Sequence, residues 1–176
     1  MNYQSRAFTT LAFCVTWFLS TACTAETPTG TAAKPTIADA VLVVKSERRL
    51  YLLADGEVFA DFPATFGADP VGHKRREGDE RTPEGHYMLD WKNAHSAFYK
   101  SIHVDYPNKQ DAAAAAARGE DPGGQIMIHG QRNGYGWLSP LARFFNWTDG
   151  CIALNDSDMD EVWLSVRENT PIEIRP

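Results

Sequence analysis

Ala40-Val41-Leu42-Val43-Val44-Lys45-Ser46-Glu47-Arg48-Arg49-Leu50-Tyr51-Leu52-Leu53-Ala54-Asp55-Gly56 is the stretch that decides the fold. Val41 to Val44 and Leu50 to Leu53 are β-rich runs on either side of the charged Ser46-Glu47-Arg48-Arg49. Asp55-Gly56 is a strong hairpin turn into a third run, Val58 to Phe66. The opening therefore reads as a β meander. Working outward, the turn Arg81-Thr82-Pro83-Glu84-Gly85 precedes another β-like stretch, His86 to Leu89, and Ile102-His103-Val104 alternates likewise. Ile126 to Ile128 reads as a short buried strand presenting His129 at its end, and Thr170 to Ile174 as a closing strand. Two helices interrupt the pattern. Asp111 to Arg118 is helical by its alanine content and is stopped by Gly119 and Pro122-Gly123-Gly124. Met159, Val162, Trp163 and Val166 fall at i, i+3, i+4 and i+7, with Asn155 or Ser157 as the cap. Strands dominate, so the expected class is mainly β with peripheral α.

The amino terminus has a different character. Arg6 is followed by a mostly apolar run, Ala7 to Leu19, and then by the small residues Ser20-Thr21-Ala22 before Cys23. This is the pattern of an export signal over 1–22, too short for a spanning helix. Cys23 stands where a lipoprotein signal peptidase would leave a lipidated cysteine, while Leu19 lies one residue further from it than the usual lipobox leucine. Ordinary cleavage after Ala22 is the competing expectation. Residues 23–36, rich in Thr, Ala, Pro and Gly, read as a tether, which leaves 37–176 as one domain of 140 residues with room for a sizeable core. The formal net charge of -6, without a long basic stretch, argues against nucleic acid as a partner. His73-Lys74-Arg75-Arg76 is the one dense basic cluster and is followed at once by Glu77, Asp79 and Glu80, so it reads as a solvated loop; an anion-holding role is the less favoured alternative.

Cys151 carries the chemistry. It lies in Trp147-Thr148-Asp149-Gly150-Cys151-Ile152-Ala153-Leu154-Asn155, with Ile126-Met127-Ile128-His129-Gly130 upstream. A thiol after a glycine and a histidine entering a glycine-containing loop from an apolar strand are the elements of a cysteine nucleophile and its base. A buried inert cysteine, or a bridge from Cys23 to Cys151, is the structural alternative. His86, His95 and His103 have no cysteine nearby and read as structural. The carboxylates at Asp156, Asp158, Asp160 and Glu161 read as helix-start chemistry, since a calcium loop would need a glycine and a distal glutamate that are missing. Zinc on His129, Asp149 and Cys151 lacks a fourth ligand. The expected reaction needs no metal and no cofactor.

The pairing of Ile126-Met127-Ile128-His129-Gly130 with Thr148-Asp149-Gly150-Cys151-Ile152-Ala153-Leu154, preceded by Gly78 and Arg81-Thr82-Pro83-Glu84-Gly85, resembles the YkuD-type L,D-transpeptidases of bacterial cell walls. Tyr106-Pro107-Asn108 and Pro122-Gly123-Gly124 look like the branch of that family with an inserted alanine-rich helix. Two departures stand out: the family's usual histidine before Gly-Cys is Asp149 here, and the interval from His129 to Cys151 is longer than in the shorter members. The resemblance implies a β-sandwich-like L,D-transpeptidase catalytic domain. It also implies a reaction in which Cys151 is acylated by a peptidoglycan stem peptide at diaminopimelate and passes the acyl group to an amine.

On that resemblance His129 is the base and Cys151 the nucleophile. The backbone N–H groups around Gly150 and Cys151 hold the oxyanion. Gly130 is expected to leave space for the stem. Asp149 either orients His129 or the substrate amine, or is a plain turn residue. Arg132, Asn133 and Tyr135 are candidates to grip stem carboxylates, with an exposed Arg132 equally compatible. Trp137, Phe144, Phe145 and Trp147 are expected in the core rather than along a substrate wall. The amine acceptor is a second stem, a wall-attached protein or a free amino acid. Hydrolysis by the same acyl-enzyme, as an L,D-carboxypeptidase or amidase, is the alternative, and a non-catalytic wall-binding lipoprotein is the second. The expected place is the periplasm or cell envelope. The membrane is reached only through a lipid on Cys23, on the outer membrane in a two-membrane cell because Thr24 is not the inner-membrane retention aspartate.

Overall fold

The computed structural model describes residues 35–138, 141 and 144–176. The readings of an export signal over 1–22, of lipidation at Cys23 and of most of the tether lie outside them. The opening meander forms as the alternation demands. Strands β1 (Ala40–Val44) and β2 (Arg49–Ala54) pair antiparallel, with Val41, Val43, Leu50 and Leu52 turned inward. Asp55 and Gly56 both take positive φ, 53° and 79°, the twist-matched geometry of a two-residue hairpin, and lead into β3 (Glu57–Pro63).

Five more strands follow: β4 (Gly85–Asn93), β5 (Ser101–Val104), β6 (Met127–His129), β7 (Ile152–Ala153) and β8 (Thr170–Arg175). They make one eight-stranded sheet in the order β3-β2-β1-β8-β4-β5-β6-β7. The pairs β1·β8 and β6·β7 are parallel and the other five antiparallel. This sheet curls until its ends meet. Just beyond β3, Thr65 exchanges both backbone hydrogen bonds with Ala153 of β7, at 2.9 and 2.8 Å, and Gly67 bridges Thr148. The sandwich-like expectation is thus met by a single sheet wrapped around its own core, whose largest members include Phe66, Leu89, Ile102, Ile128, Ile152, Met159 and Ile174.

The two ten-residue helices among the described residues are peripheral. Helix α1 (Lys109–Arg118) starts on a capping box of Asn108 and Asp111 and ends on Gly119 at φ 67°; it buries Ala115. Helix α2 (Asp156–Ser165) is capped by Asn155, whose side chain accepts from the Asp158 N–H at 2.8 Å, and lays Met159, Val162 and Ser165 against the core. Among the described residues no helix is long and apolar enough to cross a membrane.

Within the basic cluster Arg75 and Arg76 are exposed as expected, and Lys74 departs from that reading. Lys74 is 3% exposed, with Nζ donating to Asp79 Oδ1 at 2.9 Å and to the Arg76 carbonyl at 3.1 Å. Asp79 also accepts from the N–H groups of Arg75, Arg76 and Arg81. The turn between Lys74 and Arg81 is therefore wound around one carboxylate, and burying the ammonium completes the set of donors. Burial alone would raise the Asp79 pKa; the Arg75 N–H, the Lys74 ammonium and the other two N–H groups override it and bring it down to about 2.

Candidate active site

His129 ends β6 and Cys151 immediately precedes β7, and these two strands are parallel neighbours. That adjacency brings two distant motifs to one place: His129 and Cys151 line the same cleft, of about 240 Å³, together with Phe98, Gln125, Trp147 and Asp149. The imidazole is buried. Its Nδ1 lies 2.6 Å from the Gly130 carbonyl oxygen, an atom that only accepts, so Nδ1 carries the proton and Nε2 holds the basic lone pair. Phe98 and Trp147 pack on the ring, with centroids 4.6 and 5.9 Å away. Burial pushes the His129 pKa down, against a smaller upward pull from the Gly130 carbonyl.

Cys151 is a half-buried free thiol. Its Sγ faces the Gln125 carbonyl oxygen at 3.6 Å. Burial raises the thiol pKa and the Asp149 charge adds to the rise, while the Met127 N–H and the Lys74 ammonium oppose it. Both shifts favour the neutral thiol and the neutral imidazole over an ion pair.

The turn that carries the thiol is pinned by Thr148. Its hydroxyl donates to the Cys151 carbonyl at 2.7 Å and accepts from the Gly150 N–H at 3.2 Å. Gly150 has φ 125°, and a Cβ there would lie 2.6 Å from the Arg81 carbonyl oxygen. Glycine is thus required at this position by backbone packing, beyond any need to admit a substrate. The same turn segment sits on Gly67, whose added Cβ would fall 2.0 Å from the Glu80 carbonyl. Thr82 donates nothing here; its Oγ1 accepts from the Gly67 N–H at 3.1 Å. Arg81 is held to Asp69 through Nε and Nη2, both on Oδ2. The Arg81-Thr82-Pro83-Glu84-Gly85 turn is therefore the floor on which the Cys151 turn rests.

Gly130 is also a packing position. A Cβ there would meet Asp156 Oδ1 and the Tyr99 carbonyl, each at 2.7 Å, so the expected space for a stem is filled by the protein itself. Arg132, Asn133 and Tyr135 lie away from the lining of the Cys151 cleft. All three are exposed: Arg132 stacks over Tyr135 at 5.8 Å, and Asn133 Nδ2 donates to the Ser96 carbonyl at 2.9 Å. The core expectation for the aromatic group fails for Trp137, Phe144 and Phe145, of which Trp137 is 75% exposed. Trp147 instead packs edge-on against His129. His103 is structural as expected, bonded to Asp90 at 2.7 Å and stacked on Trp91. Sequence reasoning missed the parts played by Phe98, Gln125 and the Thr148 hydroxyl. The threonine of the Thr-x-Gly-Cys motif was in plain view, and a hydroxyl three residues before a strained turn is the signal for such a clamp. Among the described residues, no three His, Cys, Asp or Glu side chains converge as metal ligands would.

Comparison with known proteins settles the family. Residues 38–174 match the YkuD family, the L,D-transpeptidase catalytic domain. The chain belongs to this family. Relatives of this YkuD-family chain include the putative L,D-transpeptidase YafK of Escherichia coli K12, 28% identical over 95 residues, which are 53% of this chain and 31% of YafK. The helical cell shape determining protein Pgp2 from Campylobacter jejuni is 26% identical, with a TM-score of 0.58 over 77% of this chain and 46% of that one. An L,D-transpeptidase from Xylanimonas cellulosilytica shares the fold, with a TM-score of 0.51 at 15% identity over 79% of this chain and 61% of the other. The YkuD-family chain thus spans less than half the length of YafK and of Pgp2.

Proposed function

We propose that this protein is a peptidoglycan L,D-transpeptidase working through a cysteine acyl-enzyme. The reading is carried by one observation: a free thiol, Cys151, and a buried imidazole whose Nδ1–H is held by the Gly130 carbonyl line a single cleft. In the proposed reaction His129 Nε2 takes the Cys151 proton as the sulfur turns from the Gln125 carbonyl toward the diaminopimelate carbonyl carbon of a stem peptide. The S–C bond forms, and the Cys151 N–H stabilises the oxyanion, the Gly150 N–H being held by the Thr148 hydroxyl. Collapse breaks the C–N bond, and the leaving amine departs with the proton from His129. An acceptor amine then attacks the thioester, gives its proton to His129, and the C–S bond breaks to restore the thiol.

The family supports an extracellular or periplasmic place of action, because peptidoglycan lies there. Within this proposal the protein is exported by its leader over 1–22 and anchored by lipid at Cys23. The printed description of Pgp2 as a cell-shape determinant supports a part in cell shape. The test is mass spectrometry of purified tetrapeptide muropeptides, dimers included, after incubation with the wild type and with Cys151→Ala. A new diaminopimelate-to-diaminopimelate cross-link made only by the wild type is the expected result. Trimmed products alone would assign a hydrolase, and unchanged muropeptides would refute acyl transfer on these stems.

A further inference from the structure

We propose that Asp149 makes the cleft beside Cys151 selective for substrates that carry a primary ammonium next to the bond made or broken. The inference deepens the acyl-transfer reading above and rests on it for the identity of the reaction. Its starting point is the charge of the cleft. Among the described residues no lysine or arginine lines it, and burial favours the neutral forms of Cys151 and His129, so Asp149 is the charged side chain of the lining.

Other employment for that carboxylate is already filled. The imidazole is oriented by the Gly130 carbonyl, not by Asp149. The turn is clamped by the Thr148 hydroxyl. Among the described residues, none of the ion pairs includes Asp149, and its side chain is exposed at the rim of the cleft. Lys74, the ammonium whose charge also reaches the sulfur, is spent on Asp79.

An uncompensated anion beside a nucleophilic thiol works against the reaction, because it holds the proton on sulfur. A cation docked on Asp149 removes that penalty. An arriving ammonium is therefore attracted to the cleft and, once there, eases ionisation of Cys151, while a free carboxylate is repelled. The diamino-acid side chain of a peptide stem has this chemistry.

The first arm of the test reads the charge without any enzymatic turnover. Cys151 of the full chain is modified by a cationic, an anionic and a neutral methanethiosulfonate at low ionic strength, and the rate is followed on the Cys151 peptide by mass spectrometry. Relative to the neutral reagent, the cationic-to-anionic rate ratio is expected to fall about tenfold in Asp149→Asn and to be retained in Asp149→Glu, with the difference shrinking as salt is added. An unchanged ratio in Asp149→Asn overturns the proposal. The second arm compares a tetrapeptide stem with a free side-chain amine and the same stem acetylated there. Asp149→Asn is expected to lower kcat/KM about tenfold for the first and to spare the second; equal losses on both overturn the proposal. Should the wild type process neither stem while the reagent ratio still responds, acyl transfer fails by itself and the charge selection at Asp149 is upheld.

Discussion

Removing the Asp79 carboxylate should loosen the nucleophile turn without touching it. In Asp79→Ala, three backbone N–H groups and the Lys74 ammonium lose their acceptor at once. The charged part of the loss follows from linkage. The Asp79 pKa falls from 3.8 unfolded to about 2 folded, which is worth roughly 2 kcal/mol at neutral pH. The side chain is 10% exposed, so solvent screening takes little of this away. Leaving Lys74 buried and unpaired raises the total to on the order of 3 kcal/mol, or a fall in Tm of roughly 10 °C. Because the folded pKa is depressed, this stability is fully present above pH 3.8 and is lost as pH falls toward 2. Urea unfolding of wild type and variant from pH 7 down to pH 2 measures both effects: the gap should be widest at neutral pH and narrow through that acid window. The same loop presses the Arg81 carbonyl onto Gly150, so alkylation of Cys151 should become faster or less uniform in the variant. A loss below about 1 kcal/mol with a pH-independent gap would refute the reasoning.

Gly130→Ala should cost about 1 to 3 kcal/mol by overpacking, since the new methyl meets Asp156 and the Tyr99 carbonyl; thermal unfolding within 0.5 kcal/mol of wild type would contradict this. Thr148→Val should lose about 1 to 2 kcal/mol together with most of kcat, whereas Thr148→Ser keeps the hydroxyl clamp and both properties; chemical denaturation and a turnover assay compare the three proteins. In the free enzyme, iodoacetamide labelling of Cys151 should rise through a midpoint above the ordinary thiol value, because burial holds the proton on sulfur. The acid limb of kcat/KM should lie below the usual histidine value, because burial keeps His129 neutral. A labelling midpoint under about pH 8.5 or an acid limb above about pH 6.5 would count against the neutral resting pair.

The strands were legible because their inward residues recur every second position: Val41 and Val43, Leu50 and Leu52, Ile172 and Ile174 all face the core. Asn155 and Asp55-Gly56 were legible because capping and hairpin chemistry are local. The paired motifs around His129 and Cys151 made both residues of the cleft legible as candidates, and the family resemblance followed from them. The closure of the sheet was not legible, because a bridge between Thr65 and Ala153 leaves no periodic trace in either segment. Lys74 reads as solvated because its acceptors are the Arg76 carbonyl and an Asp79 carboxylate that is itself held by backbone N–H groups, which every residue possesses. Gly130 and Gly150 were noticed, but their reason is contact with the Tyr99 and Arg81 carbonyls, which no local pattern announces. Exposure of Trp137, Phe144 and Phe145 contradicts composition-based expectation for the same reason: aromatic character does not say which side of a loop faces water.

The meeting of Thr65 with Ala153 gives the thiol a timing. The segment that seats the nucleophile turn lies 88 positions upstream of the strand it seals, and contacts of such range close late in folding because the intervening chain must first be ordered. The turn that carries Cys151 therefore acquires its support from the Gly67 segment only when both ends of the sheet have found each other. A chain only half collapsed carries Cys151 on an unsupported turn, and the alkylation rate of that thiol becomes a readout of whether the whole circuit of strands has closed.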